Sequence, residues 1–250
     1  MPKHISIAGK GGTGKTTLAA LIVRFLREQS RVPVLAVDAD PNANLGEVLG
    51  IEPKETIVEI MNATKTIGTV SPGMTKDLFI EYRLNRALAE SQDVDLLVMG
   101  GPEGPGCYCY PNELLRKYME VLGRNYRYLV MDNEAGLEHL SRRVAQDVDL
   151  LFVVSNATVR GIRAAGRINQ LVQSLKLNVG EAYLVVNMVG TEAIESLAGA
   201  IAETELPVAG YIPPDPLITD FDLQGIPFAG LPAEALALKA VRGILEHTGI

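Results

Sequence analysis

The chain has 250 residues, of which 47% are hydrophobic and 21% are charged, and it carries a formal net charge of −7 at pH 7. These proportions exclude a disordered or fibrous protein, because the apolar side chains suffice for a large buried core. The negative charge argues against a protein held on nucleic acid or on an anionic membrane, since both partners need a positive protein surface. No apolar run reaches the roughly 20 residues of a membrane-spanning helix, and residues 1–10 lack the apolar core of a signal peptide, so we expect a cytoplasmic protein.

Short apolar runs rich in β-branched residues recur along the chain and predict buried strands. They span residues 5–8, 34–38, 94–99, 128–132, 150–154, 183–186 and 208–212. The segments between them have helical spacing, because positions such as Ile168, Val172 and Leu175 would share one helix face. The alternation predicts an α/β fold with a mostly parallel sheet of seven to eight strands, covered by helices on both faces. No linker or repeat divides the chain, so we expect a single domain over residues 1–250.

The first predicted strand runs directly into the sequence G-K-G-G-T-G-K-T-T, from Gly9 to Thr17, and an apolar helical run follows. This is a phosphate-binding loop in the strand–loop–helix context that it requires. Its glycines let backbone N–H groups surround phosphate oxygens, and the helix N-terminus adds a favourable partial charge. We expect Lys15 to contact the β- and γ-phosphates and Thr16 to bind Mg²⁺. The predicted nucleotide contacts are Gly11, Gly12, Thr13, Gly14, Lys15, Thr16 and Thr17.

A second lysine, Lys10, stands at the start of this loop, where the basic phosphate-loop motif does not demand one. The sequence K-G-G-x-G-K-T-T resembles the deviant Walker A loop of the ATPase class that contains MinD, ParA and the nitrogenase iron protein. The resemblance implies a MinD-like P-loop NTPase fold and an ATP-sandwich homodimer. In such a dimer Lys10 contributes catalytic charge to the nucleotide of the partner, as an arginine finger does. The alternative is a lysine that is only solvated.

Two carboxylates, Asp38 and Asp40, follow the second predicted strand with one residue between them. Alternate residues of an extended segment face the same way, so both can point toward the nucleotide. They match the D-x-D pattern of the first switch segment in this ATPase class. We expect Asp40 to orient the attacking water, and Asp38 to support Mg²⁺ indirectly or to couple hydrolysis to motion. Aspartates after a strand are also common helix caps and turn formers.

The third predicted strand is followed by a loop rich in Gly and Pro that contains both cysteines of the chain, Cys107 and Cys109. A disulfide between cysteines two positions apart would be strained and is disfavoured in a reducing cytosol. Metal binding fits better, but a soft metal ion commonly takes four ligands and one chain offers two thiols. A twofold homodimer would supply four thiolates to one shared ion, either nickel or zinc. The dimer that Lys10 implies has this symmetry.

The fourth predicted strand ends in Asp132, as a Walker B strand does, and we expect this carboxylate to hold Mg²⁺ through a water molecule. Asp132 begins the pattern D-x-x-x-G, whose glycine, Gly136, would let the backbone approach a γ-phosphate. Relatives in the cell-division and partition branches usually have proline where this chain has Glu134. This difference indicates that the chain belongs to another branch of the ATPase class that contains MinD and ParA.

Asn187 ends the sixth predicted strand, and Pro213, Pro214 and Asp215 follow the seventh. In the family that the chain resembles, an asparagine and a proline-containing loop at these places hold the adenine ring. The resemblance therefore implies a preference for ATP over GTP, and residues 187–190 do not reproduce the N-K-x-D pattern typical of GTP-binding relatives. An asparagine at the end of a strand can also cap a helix or a turn.

Two longer stretches of the sequence indicate which branch of the ATPase class the chain resembles most. The C-x-C loop with Asn112 behind it, and the sequence D-N-E-A-G-L-E-H-L-S-R over residues 132–142, look like signatures of the CooC-type ATPases. These proteins assist nickel insertion into carbon monoxide dehydrogenase and the related acetyl-CoA synthase. The resemblance implies a metallochaperone whose homodimer closes on ATP, holds a metal ion between four thiolates and opens on hydrolysis, for either client enzyme. His139 is more simply a helical residue than a metal ligand.

Two other functions remain open. An iron–sulfur reductase like the nitrogenase iron protein also binds its cluster with two cysteines from each subunit, but those cysteines come from separate loops. A spatial organiser of the MinD or ParA kind would need a surface for membrane or DNA. The predicted final helix, residues 233–247, balances two basic residues with two acidic ones, so it lacks the basic face of an interfacial anchor.

Overall fold

The computed structural model describes residues 2–65, 73, 75–101, 109–134 and 147–250. The strands are β1 (Lys3–Gly9), β2 (Val34–Ala39), β3 (Val94–Val98), β4 (Tyr128–Asn133), β5 (Asp147–Asn156), β6 (Asn178–Asn187) and β7 (Val208–Ile212). They form one sheet in the order β3-β2-β4-β1-β5-β6-β7, and every neighbouring pair is parallel. This confirms the predicted parallel α/β fold. In the described part of the chain the sheet has seven strands, the lower of the two expected numbers.

Helices occupy most of the connections between the strands. They are α1 (Lys15–Glu28), α2 (Leu45–Leu49), α3 (Ile57–Lys65), α4 (Lys76–Ala87), α5 (Cys109–Leu122), α6 (Val159–Ser174), α7 (Thr191–Ala202), α8 (Pro216–Gln224) and α9 (Leu236–His247). Single-turn 3₁₀ helices cover Gly123–Asn125 and Phe228–Gly230. Side chains cap the start of several helices, among them Thr75 before α4, Thr158 before α6 and Asp215 before α8. Their oxygens accept otherwise unpaired N–H groups of the first turn.

Both faces of the sheet are buried because helices cover each of them. In β2, Val34 and Ala36 belong to the core on one face, whereas Leu35 and Val37 belong to the core on the other. This alternation is the period of two expected of a strand, and burial on both faces explains why the predicted strands are mostly apolar. The helices α1 and α9 supply the first core, and α3, α6 and α7 are among those that supply the second.

The last helix, α9, contributes its apolar side to the first core. Leu238, Val241 and Leu245 are buried there, and Arg242 on the outer side pairs with Glu28 of α1 (3.0 Å). The hydrophobic surface of α9 is therefore used in packing against the sheet. No helix within the described ranges combines the length and the apolar character that a bilayer crossing requires.

The parallel arrangement brings the carboxyl ends of all strands to one edge of the sheet, which we call the C-terminal edge. The first strand, β1, lies near the centre, between β4 and β5. Ile7 of β1 and Asp38 of β2 are both in register with Asp132 of β4. Open parallel sheets bind ligands at this edge, so the predicted phosphate loop and the predicted carboxylates meet where a ligand site is expected.

Candidate nucleotide-binding site

The phosphate loop connects β1 to α1 at the C-terminal edge. Gly12 (φ 74°) and Gly14 (φ 88°) take left-handed backbone conformations, which other residues rarely adopt. A β-carbon at Gly14 would also collide with the side-chain amide of Asn187. The Thr13 hydroxyl donates to the Lys10 carbonyl (2.8 Å) and so holds the loop together. A loop of this conformation before a helix N-terminus is the backbone arrangement that binds phosphate.

The two lysines of the loop have opposite environments. Lys15, the first residue of α1, is only 6% exposed, and its charge lowers the pKa of Asp132. Lys10 is exposed to solvent and forms no ion pair with any residue in the described ranges. Lys15 is therefore enclosed by its own chain, whereas Lys10 is accessible from outside, as the predicted contact with a second chain requires.

Asp132 lies near the end of β4 and is 1% exposed. Its Oδ2 accepts a hydrogen bond from the Thr16 hydroxyl (2.5 Å), whereas its Oδ1 is buried without a hydrogen-bond partner among the described residues. Burial raises the pKa of this carboxyl to about 6, against the lowering effects of the Thr16 hydrogen bond and the Lys15 charge. A buried, unpaired carboxylate oxygen next to a hydroxyl suits hydrated Mg²⁺, which takes oxygen ligands. The residues present therefore fit the predicted magnesium site.

Asp38 and Asp40 differ in what they contact. The fully buried Asp38 accepts the Asp40 N–H at Oδ1 (3.1 Å) and the Leu45 N–H at Oδ2 (2.8 Å). Burial raises the pKa of Asp38 to about 7, and the negative charge of Asp132 acts in the same direction. Asp38 thus holds the loop between β2 and α2. Its two predicted roles, indirect support of Mg²⁺ and the coupling of hydrolysis to motion, stay predictions. The partly exposed Asp40 accepts the backbone and side-chain N–H groups of Asn42 (2.9 and 2.8 Å).

A cavity of about 430 Å³ lies beside the phosphate loop, between α1 and the segment that joins β7 to α8. Apolar side chains, among them Ile212 and Ile218, form much of its wall. A concave, mainly apolar site with a few polar groups suits a planar heterocycle. Phosphate-loop residues and all four predicted base contacts line this cavity together: Gly12, Gly14, Thr17, Asn187, Pro213, Pro214 and Asp215.

The two polar residues among the predicted base contacts are engaged with the protein backbone. The Asn187 amide donates to the Thr13 carbonyl (2.8 Å) and so joins the end of β6 to the phosphate loop. Asp215 accepts the Leu217 N–H at Oδ1 (3.0 Å) and the Ala237 N–H at Oδ2 (2.9 Å). Asp215 therefore caps α8 and anchors the start of α9. Both side chains shape the cavity, and the neighbouring prolines form part of its wall.

Met188 also lines the cavity, and no sequence pattern singled it out. It is 47% exposed and has a left-handed backbone (φ 55°), which is uncommon for a residue other than glycine. Its N–H donates to Oδ1 of Asn187 (2.9 Å), which fixes its position at the wall. A flexible thioether here is suited to contact an aromatic ring. The sequence offered one indication that Met188 contributes to the site, which is its position directly after the predicted base contact Asn187.

Met188→Ala is expected to weaken ATP binding about fivefold and to leave the binding of inorganic tripolyphosphate unchanged. Covering a half-exposed methionine with a base is worth about 1 kcal/mol, and tripolyphosphate has no base. Competition against a fluorescent ATP analogue with Mg²⁺ measures both affinities. Leu223→Ala is the matched control, because Leu223 is 81% exposed on α8 and does not line the cavity. An equal loss of affinity for both ligands would contradict the base contact.

Several predicted site residues lie outside the described residues. These are Cys107, Gly136 and His139; Cys109 is the first residue of α5, and only its backbone is described. Across the ranges that the structure covers, no group of His, Cys, Asp or Glu side chains is arranged to hold a metal ion. The binding of a soft metal by the cysteines therefore stays a prediction.

Comparisons with known proteins agree with this geometry. Residues 5–228 match the CobQ/CobB/MinD/ParA nucleotide-binding domain family. An uncharacterised ATP-binding protein of Methanocaldococcus jannaschii is 39% identical over 245 residues, which are 97% of this chain and 96% of that protein. The carbon monoxide dehydrogenase accessory protein CooC of Rhodospirillum rubrum is 30% identical over 184 residues, 68% of this chain and 69% of that protein.

Among solved structures, the septum site-determining protein MinD of Pyrococcus horikoshii, complexed with Mg-ADP, has a similar fold. The TM-score is 0.74 and the sequence identity 24%, over 99% of this chain and 96% of that one. The family match covers most of the chain, and the phosphate loop and base cavity lie within or next to it. The chain therefore belongs to the CobQ/CobB/MinD/ParA nucleotide-binding family and is an ATPase of the MinD/ParA kind.

Proposed function

We propose that this ATPase is a metallochaperone. Its homodimer binds a metal ion through Cys107 and Cys109 and supports nickel insertion into carbon monoxide dehydrogenase or acetyl-CoA synthase. The sequence similarity to CooC, whose name links it to carbon monoxide dehydrogenase, supports this client class. In the sequence the C-x-C motif follows β3 and ends at Cys109, the first residue of α5.

The observation that carries the proposal is the contact of residues 99–101, which follow β3, with the end of β2 and the loop after it. The Met99 N–H donates to the Asp38 carbonyl of β2 (2.8 Å). A β-carbon at Gly101 would lie 3.0 Å from the Pro41 carbonyl, so the backbones of the two loops are closely packed. A rearrangement of the loop after β2 on ATP hydrolysis would therefore reach residues 99–101, which precede the cysteines in the sequence.

Mg²⁺ and ATP fit the residues of the site, and each residue has a distinct task. Thr16 and Asp132 would hold Mg²⁺, which neutralises phosphate charge, and Lys15 with the loop backbone would hold the phosphates. Asp40, partly exposed beside the buried Asp38, orients the attacking water. Lys10 adds positive charge to the nucleotide of the second chain.

The metal ion is the cargo of this protein. Two thiols from each chain give four ligands on the twofold axis, enough for a closed site. Thiolate ligands do not by themselves distinguish Ni²⁺ from Zn²⁺, so Zn²⁺ is expected to compete in vitro. The nucleotide can drive release only by binding one arrangement of the dimer better than the other.

Cys107→Ser combined with Cys109→Ser is expected to abolish tight Ni²⁺ binding and to leave ATP binding unchanged. The reason is that serine hydroxyls do not replace thiolates as ligands for a soft metal. Equilibrium dialysis with Mg²⁺ and a non-hydrolysable ATP analogue measures the stoichiometry. We expect about one ion per wild-type homodimer, as four thiolates for one ion require, and less than about one-tenth of that in the variant.

His139→Ala is the matched control, because the metal-binding hypothesis does not include this imidazole, and its Ni²⁺ stoichiometry should equal that of the wild type. Unchanged stoichiometry in the cysteine variant would remove the metal site. A brown, reducible protein after anaerobic purification would instead favour an iron–sulfur reductase. The client is tested with nickel-free carbon monoxide dehydrogenase from cells that lack this ATPase, which should gain nickel and activity when the ATPase and ATP are added.

A further inference from the structure

The exposed side of α6 carries three arginines, and the helix contains no acidic residue. Arg160, Arg163 and Arg167 follow one another at intervals of three and four residues, so they share one side of the helix, which we call the arginine face. The opposite side, with Ile162 and Ile168, is buried in the second core. The net charge of the chain is −7, whereas the arginine face concentrates positive charge on one surface.

Ion pairs between described residues do not account for this charge. Arg163 contacts Glu203 beside α7 (Nε to Oε2, 3.1 Å), but the two side chains are 56% and 57% exposed, so water screens the pair. Arg160 and Arg167 form no ion pair with a residue that the structure describes. Within the described ranges, two of the three guanidinium groups are thus exposed and have no carboxylate partner.

Arg160 also occupies a place where positive charge is unfavourable. It lies in the first turn of α6, which has no acidic residue, next to the partial positive charge of the helix N-terminus. The helix begins at Thr158, whose hydroxyl accepts the Gly161 N–H (3.0 Å), so Arg160 takes no part in this cap. The positive charge of Arg160 therefore destabilises the start of α6. Residues that lower the stability of their own helix are expected where the protein uses them for function.

The arginine face begins at the same edge of the sheet as the nucleotide site. The strand that leads into α6, β5, is the neighbour of β1, and Val154 is in register with Gly9. The first turn of α6 therefore lies beside the strand that feeds the phosphate loop. A partner bound here would contact the edge of the sheet at which ATP binds.

We propose that the arginine face docks a partner protein that presents clustered carboxylates. Guanidinium groups bind carboxylates through paired, charge-assisted hydrogen bonds. The neighbouring helix α7 exposes Glu192 and Glu195, which would repel an extended polyanion such as DNA but can be accommodated by a protein surface of mixed charge. Val159, 40% exposed at the start of α6, offers an apolar contact that a protein partner can use.

The test uses the full chain with Mg²⁺ and a non-hydrolysable ATP analogue, and the probe is a fluorescein-labelled peptide of mixed charge in which about four consecutive glutamates are flanked by lysines on both sides. Fluorescence anisotropy at low ionic strength follows binding, because charge interactions are then least screened. Arg160→Glu combined with Arg167→Glu is expected to raise the Kd for the peptide at least about tenfold. Arg160→Lys combined with Arg167→Lys is expected to keep part of the affinity, which separates lost charge from a damaged helix.

The control variant, Arg27→Glu combined with Arg124→Glu, makes the same change in net charge at two exposed positions outside α6. Its Kd should change by less than about twofold, since nonspecific attraction contributes little in an acidic protein. Equal weakening in the control would overturn the proposal, and so would the absence of peptide binding by the wild type. Tight binding of a DNA duplex that is lost in the Arg160 and Arg167 variant would overturn it in favour of a nucleic-acid surface.

Discussion

Asp132→Asn is expected to stabilise the nucleotide-free protein and to slow Mg²⁺-dependent ATP hydrolysis by at least about 100-fold. The free energy of unfolding should rise by about 2 to 3 kcal/mol at pH 8, because an ionised carboxyl that is 1% exposed, with its pKa raised to about 6, opposes folding. The amide carries no charge and keeps an oxygen for the Thr16 hydroxyl. Hydrolysis should suffer because the amide removes a negative charge from the site that fits Mg²⁺.

The stability difference should depend on pH in a defined direction. The pKa of Asp132 is raised from 3.8 to about 6 in the folded protein, so the folded state holds this proton more tightly than the unfolded chain does. The wild type therefore loses stability relative to the variant as the pH rises from about 4 to about 6, and the difference is constant above that range. Urea unfolding at pH 5 and pH 8, with EDTA present, measures this. A variant that is no more stable than the wild type at pH 8 would contradict the prediction.

Asp38→Asn is the matched control, because Asp38 is in register with Asp132, is fully buried and also has a raised pKa. Both of its carboxylate oxygens, however, accept backbone N–H groups. An amide would turn its NH₂ group toward one of these donors and leave it unpaired. Asp38→Asn should therefore gain less stability at pH 8 than the rise of the Asp38 pKa to about 7 would give by itself, because the unpaired backbone N–H costs about 1 to 3 kcal/mol. A gain of the full size that this pKa implies would show that hydrogen bonding does not separate the two aspartates.

Lys10→Ala is expected to retain ATP binding but to lose both ATP-dependent dimer formation and at least about 99% of the hydrolysis rate. A cationic side chain supplied by a second chain can accelerate phosphoryl transfer by about 10³-fold or more. The exposed position of Lys10 suits such a contact, and its removal leaves the buried Lys15 in place. Sedimentation velocity with Mg²⁺ and a non-hydrolysable analogue measures the dimer, and a steady-state assay measures the rate.

Lys15→Ala is the comparison variant, since Lys15 is buried within its own site and should be needed for ATP binding itself. The two variants are thus expected to fail at different steps: Lys15→Ala at binding, and Lys10→Ala at association. The role of Lys10 across the dimer is wrong if Lys10→Ala associates as the wild type does. It is also wrong if Lys10→Ala binds ATP as poorly as Lys15→Ala.

The parallel α/β fold and the phosphate loop were accessible from the sequence because their signals are local. A strand covered on both faces is a nearly continuous apolar run, as residues 34–37 are, and neighbouring turn and helix signals mark its ends. A phosphate loop needs its glycines and lysine at fixed spacing between a strand and a helix, which residues 9–17 supply. The resemblance to the MinD/ParA class rests mainly on such short motifs, and the fold and the CobQ/CobB/MinD/ParA family are confirmed, whereas the narrower resemblance to CooC-type ATPases stays a prediction.

The contacts within the site required the three-dimensional arrangement. The Thr16 hydroxyl meets Asp132 across 116 residues because β4 lies next to β1, an order of strands that no local spacing encodes. Asn187 and Asp215 reach the predicted cavity, but their polar groups are engaged with backbone N–H and carbonyl groups. Buried polar atoms pair with whatever partner the fold brings near, so the partners of these side chains depend on contacts between segments far apart in the chain.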